Sequence, residues 1–399
     1  SDAAATVEGP VNDKSTFIVS ARQSYLQLLF KLIGLPFLPT YNDFQAKYKL
    51  KIDNKNELTI IGIGAIDNLV LNTDLETSGT ESQKYLLSYL PVYKQWNYTV
   101  GGVYKHFGYS FIDTWVLSRS MLQNKNFKYR DNDESNDKMS DYKSDEAINK
   151  LRFEREYPYM AMKLKIGAGV NYAHYTNNSF RSVFRNGSEE LQKYNTELDL
   201  FGYQVFAQLS DVFLDQRLKL SLGVNVVGNN FNNNMLNPLN QFSPRFSASY
   251  ELSDKWDINA NIGRYASQPA YTTMGFKRNG EFVNKNEQLK YIISNQAIAG
   301  FEFRPSDNTR LSVEGFYKQY DSYPFSVEDG ISIASKGTEY GQVGDEEITS
   351  TGKGRAYGVE LLYKIIDLEK LNLTTTYTFF RSEFTDRENV YRPSSWDTR

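Results

Sequence analysis

The stretch QRLKLSLGVNVV, residues 216–227, puts Leu218, Leu220, Leu222, Val224 and Val226 on one side of an extended chain, with Lys219, Ser221, Gly223 and Asn225 on the other. Successive strand side chains point to opposite faces, so a period of two requires one apolar and one polar neighbour. The pattern returns along the whole sequence. Residues 44–52 set Phe44, Ala46, Tyr48, Leu50 and Ile52 against Gln45, Lys47, Lys49 and Lys51. Residues 244–252 set Phe246, Ala248, Tyr250 and Leu252 against Arg245, Ser247, Ser249 and Glu251. Residues 255–264 set Trp256, Ile258, Ala260 and Ile262 against Asp257, Asn259, Asn261 and Arg264. In all, about fifteen strands of roughly ten residues are predicted, starting at residues 15–23, each long enough to cross a bilayer when tilted. A sandwich satisfies such strands with a buried core, and a membrane barrel satisfies them inside out.

The connections separate these two solutions. Tight turns are predicted at residues 53–56, 106–108, 157–159, 214–216, 253–255, 306–308 and 367–370, with long polar loops between them at 67–90, 122–147, 176–195, 228–242, 265–290 and 323–353. Short and long alternate strictly, as in an up-and-down barrel with tight turns on one rim and large loops on the other. Greek-key crossovers give sandwiches no reason to alternate. The expected fold class is therefore all-β, a transmembrane up-and-down antiparallel β-barrel, with Leu218 to Val226 facing lipid and Trp256 in an interfacial belt. The chain's final residues start a further strand, and a sheet edge cannot lie unpaired in lipid, so the sheet is expected to be incomplete or closed by another chain.

Composition excludes several function classes. There is no cysteine, which removes disulfides, thiolate metal sites and cysteine nucleophiles, and only two histidines, His106 and His174, are present. A net charge of −3 gives no basic field for nucleic acid. No apolar run reaches the length of a membrane helix; residues 24–39, interrupted by Gln27, Lys31 and two prolines, predict a short amphipathic helix or an apolar loop. The first residues lack a basic region followed by an apolar one, so an exported protein would be represented in processed or truncated form. No GxSxG, HExxH or phosphate-binding glycine loop is found, so the chain is not expected to be an enzyme and no cofactor is expected.

Taken together, GPVNDKSTFIVSARQSYLQLLF, GLPFLPTYNDFQAKYKL, NPLNQFSPRFSASYELSDKWDINANIGRY, VEGFYKQYDSYPFSV, KGRAYGVELLYK and YRPSSWDTR resemble successive barrel segments of TonB-dependent outer-membrane receptors of the Bacteroidota type. That resemblance covers essentially residues 1–399. It implies a bacterial outer-membrane location and about 22 strands around an N-terminal plug, which a lumen too wide for its own side chains requires. Against that pattern the sequence is expected to represent part of the barrel, without signal peptide, plug or last strands. The implied function is energised import of a scarce nutrient such as a siderophore, cobalamin, glycan or peptide. The implied partners are membrane lipid, the plug, the TonB complex and a surface lipoprotein. A non-transporting barrel subunit that scaffolds an outer-membrane complex keeps the same architecture, and a soluble all-β binding protein is a third reading.

Candidate site residues fall into three groups. Aromatic and cationic side chains suit ligand capture at a barrel mouth, which selects Tyr265, Tyr271, Phe276, Arg278, Tyr323 and Phe325, while the amide-rich loop 229–241 adds Asn232 and Asn234. Rim packing accounts for the aromatic and cationic residues equally well, and asparagine is the common residue of long exposed turns, the simpler expectation for Asn232 and Asn234. Arg245, Arg264, Glu314 and Glu360 are expected to point inward, where the resemblance implies plug contacts. Asp131, Asp133 and Asp137 offer hard oxygen ligands, but Asn136 and Tyr142 stand where a calcium loop needs glycine and glutamate, so a solvated outer loop is the simpler expectation.

Overall fold

The structure, a computed structural model, describes residues 2–160, 162–185, 188–286, 289–337, 344–366 and 372–397. Strands account for 71% of it and helices for 10%. Seventeen strands belong to one antiparallel sheet. No helix among the described residues is long and apolar enough to cross a membrane. By packing, the chain divides into two compact units, residues 1–153 with 169–201, and residues 154–168 with 202–399.

The first unit opens with six antiparallel strands in sequence order: β1 (Asp2–Asn12), β2 (Ser15–Ser24), β3 (Phe37–Lys51), β4 (Asn56–Leu71), β5 (Val92–Phe107) and β6 (Ile112–Tyr129). Helix α1 (Leu26–Leu32) joins β2 to β3, and α2 (Leu75–Ser78) and α3 (Glu81–Tyr89) occupy the loop before β5. The predicted amphipathic segment is thus α1, with Leu28, Leu29 and Leu32 exposed. Its loop neighbour α3 is started by a capping box, Thr80 with Gln83, which satisfies amide groups left free by the first helical turn.

Three long strands follow, β7 (Lys138–Tyr159), β8 (Met162–Arg185) and β9 (Ser188–Phe213), of 22, 24 and 26 residues. They overturn two predicted loops: most of residues 122–147 and 176–195 is strand. The physical reason lies in what these extensions bury. On alternate positions they enclose Tyr142, Ser144, Ala173, Tyr175, Asn177, Tyr194 and Thr196. Beyond the lipid zone a strand needs no apolar outer face, so the alternation of greasy and polar residues fades while the ladder continues.

The second unit continues from the latter half of β9 through β10 (Leu218–Asn229), β11 (Ser243–Ser253) and β12 (Trp256–Ser267), again in antiparallel register. A loop with α4 (Asn233–Leu236) joins β10 to β11. A second one holds α5 (Tyr271–Met274), the two-residue strands β13 (Lys277–Arg278) and β14 (Glu281–Phe282), and α6 (Val283–Asn286). Asn279 and Gly280 both have positive φ, 53° and 85°, as the tight turn between β13 and β14 demands. The sheet resumes with β15 (Ile292–Ser306), β16 (Thr309–Ser326), β17 (Ile348–Ile366), β18 (Asn372–Thr385) and the short β19 (Tyr391–Pro393).

Counted against the sequence reading, the fifteen predicted strands are β2–β12 and β15–β18, while β1, the two-residue β13 and β14, and the short β19 lie outside that count. The tight turns at 53–56, 106–108, 157–159, 214–216, 253–255 and 306–308 fall at hairpin ends to within a few residues; the one at 367–370 lies outside the described residues.

Directly paired residues share a face, so the registers give the chemistry of each side. One row reads Leu222, Phe246, Ile262, Ala297, Tyr317 and Tyr357, and the next Leu220, Ala248, Ala260, Ala299, Gly315, Val359 and Phe379. The opposite face reads Lys219, Ser249, Asn259, Gly300, Glu314, Glu360 and Thr378. Leu222 is 57% exposed and Ile262 60%, whereas Asn225 is only 8% exposed. Greasy side chains therefore point out of the fold and amides into it, the inversion expected of a lipid solvent. The first unit repeats it, with Val7, Val19, Ala46, Gly62 and Val100 in one row. Trp256 lies just past a tight turn on the apolar face, its ring 4.4 Å from Phe303 and 5.5 Å from Phe301, as an interfacial belt requires.

Candidate functional site

At the long-loop end of the second unit, segments 228–242, 268–286, 289–291, 326–337 and 344–348 pack into a body of their own. Phe231, Met235, Met274, Leu289 and Ile348 are its apolar centre, each at most 2% exposed. Asn284, fully buried, ties the segments together: its Nδ2 donates to the Thr273 carbonyl at 2.6 Å and the Glu346 carbonyl at 2.9 Å, and its Oδ1 accepts from the Ile348 amide at 2.8 Å. Asn229 donates to Gln268 and to the Tyr291 hydroxyl, at 3.0 and 3.1 Å. Burial pushes that hydroxyl up to about 12, against the opposing pull of the Asn229 hydrogen bond. Lys336 bridges Asp329 and Glu346, and Ser326 also bonds Glu346. Loops built this way hold their outer surface in one shape, which lowers the ordering cost of binding.

The amides singled out in the sequence serve mainly this architecture. Asn232 caps α4, accepting from the Met235 amide at 2.8 Å and donating to the Leu289 carbonyl at 2.8 Å. Asn234 accepts from Asn240 and Gln241. Arg278 pairs with Glu347 at 2.8 Å across the same loops. Tyr271, the first residue of α5, and Phe276 are half-buried beside them.

On the polar face, four aromatic residues share one side of the sheet. Tyr265 is paired with Ser294, Ser294 with Tyr320, and Tyr320 with Gly354, which is paired with Phe384. A bulge between Tyr320 and Tyr323, with Ser322 at φ 56°, turns Tyr323 toward the same group, so that its ring stands 6.0 Å from Tyr320 and 4.5 Å from Phe384. Gly354 leaves the space in which the Phe384 ring lies, since a Cβ there would collide with it. The Arg245 guanidinium covers Tyr265 at 4.3 Å, a cation–π contact. Phe325 is paired with Thr349 at the end of the strand. Sequence reading found Tyr265 and Tyr323 but missed Tyr320 and Phe384, because only register brings them together.

Lower on that face a hollow of about 680 Å³ is lined by Lys219, Ser249, Asn259, Asn261 and Glu314, among others. Glu314 is paired directly with Glu360, and neither has a cation at ion-pair distance among the described residues. Arg245, Glu314 and Glu360 thus stand on the polar face as expected. Arg264 does not. It has the parity of Ile262, which puts it on the apolar face, where its Nη2 donates to the Asn240 carbonyl at 3.3 Å. Two positions along a strand preserve the face, and the expectation for Arg264 failed on that count.

Asp131, Asp133 and Asp137 form no ligand cluster. Asp133 accepts from the amide and hydroxyl of Ser135, and those bonds hold its carboxyl below the usual carboxylate range, while Asp131 occupies a left-handed conformation, φ 56°. The carboxylate oxygens and imidazole of His174, Glu197 and Asp199 do converge, all within 4.8 Å, a grouping only the register of β8 and β9 brings about. There Asp199 is already engaged by His174 at 2.9 Å and the Tyr172 hydroxyl at 2.6 Å.

Long antiparallel strands, an apolar face turned outward and a polar one turned in define a transmembrane β-barrel of the bacterial outer membrane. The chain belongs to the family described as TonB dependent receptor-like, beta-barrel, whose model matches residues 34–398. No protein of curated function is recognisably similar in sequence. Among solved structures, the ferripyoverdine receptor of the outer membrane of Pseudomonas aeruginosa is similar at 12% identity and a TM-score of 0.66, over 98% of this chain and 55% of that one. A variant of the ferric enterobactin receptor of the same organism gives 11% identity and a TM-score of 0.65, over 99% and 66%. A copper transporter gives 10% identity and a TM-score of 0.65, over 98% and 62%. The chain therefore spans between about half and two thirds of the length of these structures.

Proposed function

We propose that the chain is the barrel of an active-transport receptor, of the Bacteroidota type whose segments it resembles, which captures a scarce nutrient at the cell surface and imports it with energy supplied through TonB. It acts as a receptor and not as an enzyme. The loop body carrying Asn232, Asn234, Tyr271, Phe276 and Arg278 supplies the outer rim, and Tyr265, Tyr323 and Phe325 continue it onto the inner wall. Receptors for ferric siderophores and a copper transporter are among the similar folds, which favours a metal or metal-chelate cargo over a peptide or glycan.

The observation that carries the reading is the Glu314–Glu360 pair. Two carboxylates directly opposite on neighbouring strands repel, so a positive surface facing them, beyond Lys219 in the same row, would stabilise that part of the sheet. A folded plug inside the lumen provides one, as the family architecture implies. Charge reversal at both positions in the full receptor is expected to leave surface binding intact and to impair uptake. Uptake of radiolabelled ferric siderophore, cobalamin and copper, with and without the proton gradient, tests both parts. Binding without energy-dependent uptake of any cargo would favour a scaffold subunit instead.

A further inference from the structure

Strands β8 and β9 bring one imidazole and two carboxylates together on the outward face of the first unit. Tyr172 meets Phe201, with ring centres 4.9 Å apart, and His174 meets Asp199, with Nδ1 and Oδ1 2.9 Å apart. From the first contact to the second the two strands advance two residues in opposite directions, so the next position of β9 on that face, Glu197, stands beside the same imidazole. One ligand atom from each of His174, Glu197 and Asp199 lies within 4.8 Å of the others. Along β8, exposed Val170 comes first, then Tyr172, then His174, an order that passes from hydrocarbon through an aromatic belt to water.

The alternate positions are locked from the other side, where Ala173, Tyr175, Thr196 and Leu198 are each at most 6% exposed. Packing thus fixes the backbone that presents the three groups, while their side chains stay open to solvent. Asp199 uses one oxygen, Oδ1, for both of its hydrogen bonds, with the Tyr172 hydroxyl and with His174. Among the described residues, neither Glu197 nor Asp199 has a lysine or arginine at ion-pair distance. Two carboxylates on one strand therefore have a single imidazole between them and no fixed cation.

We propose that His174, Glu197 and Asp199 bind a divalent first-row transition-metal ion, zinc being the simplest, with water in the fourth position. Ligand atoms about 2.0–2.2 Å from one zinc ion stand roughly 3–4 Å from each other, so the observed spread closes by side-chain rotation alone. The ion takes the place of the proton between His174 and Asp199: the imidazole keeps its hydrogen on Nε2 and offers the Nδ1 lone pair. A nitrogen in the donor set selects against calcium and magnesium, which take oxygen ligands. Because the site lies on the outward face, the ion is no cargo on the polar inner one. It fastens β8 to β9 where the hairpin has left the lipid.

The test strips the detergent-purified full receptor with chelator, dialyses it against zinc and counts the bound metal by elemental mass spectrometry. Loss of a group that merely orients a ligand costs about 10- to 100-fold in affinity, so H174Q, E197Q and D199N are each expected to weaken one zinc equivalent by at least that much. H106Q, at the far end of β5, is expected to bind like the parent. With copper as the probe, imidazole nitrogen coupling in the electron paramagnetic resonance spectrum should be lost in H174Q and persist in H106Q. Heat-modifiable migration on gels confirms that each variant is folded. Equal zinc binding by parent and H174Q, an equal loss in H106Q, or displacement of zinc by calcium at matched concentration would each overturn the proposal.

Discussion

Asn284 offers the sharpest test of how the outer loops are held. Its amide makes three hydrogen bonds, to the Thr273 and Glu346 carbonyls and from the Ile348 amide, at a position with no solvent access. A buried hydrogen bond contributes about 1 kcal/mol net, so Asn284→Ala is expected to cost the loop body about 3 kcal/mol. Asn284→Asp is expected to cost more, because a carboxylate cannot donate to the two carbonyls and would be buried charged. The loss should be local, since β17 past Ile348 is paired on both sides by β16 and β18. Hydrogen exchange followed by mass spectrometry reads it directly: protection of the Ile348 amide should fall by about two orders of magnitude, at 1.4 kcal/mol per tenfold. Protection within Val359–Tyr363 should hold. Unchanged exchange at Ile348 would refute the idea that one amide pins three loops, and loss spread evenly over β17 would show that the loops and strands open as a unit.

Two further outcomes follow from the same geometry. Leu222→Arg, on the outward row, is expected to cost about 2–4 kcal/mol in the bilayer, whereas Ser221→Arg on the polar face should assemble normally; the folded fraction on semi-native gels distinguishes them, and equal assembly would contradict the face assignment. Burial pulls the Lys336 ammonium down, but hydrogen bonds and charge from Asp329 and Glu346 outweigh it and hold the group above its ordinary 10.5. Its contribution to stability is therefore complete below that value and lost as pH rises through the higher folded one, so proteolysis within 326–348 should accelerate only in strong alkali. Lys336→Met should be cleaved readily at every pH, and a parent protein that loosens near neutrality would count against the bridge.

Much of the scaffold is legible in the sequence because lipid imposes a rule on each residue separately. Every lipid-facing side chain must be apolar and every second residue faces lipid, so Leu218 to Val226 and Trp256 to Ile262 announce their strands without reference to any neighbour. Where lipid ends, that rule ends: the outer parts of β7, β8 and β9 bury serine, asparagine and tyrosine, and their sequence reads as loop. β1 escaped for a related reason, since DAAATVEGPVN alternates too weakly to be seen until paired with β2.

The candidate site divides the same way. Sequence alone determined the class of fold, the outward and inward faces of most strands, and the placement of Arg245, Glu314 and Glu360 on the polar one. Tertiary structure decided which residues meet: Tyr320 and Phe384 joining Tyr323, Glu314 facing Glu360, His174 facing Asp199, and Asn232 spent on a helix cap. The reason is physical. Burial against a solvent is a property of each position along the strand, whereas a cross-strand contact depends on register, which hairpin geometry and bulges fix only when the chain has folded.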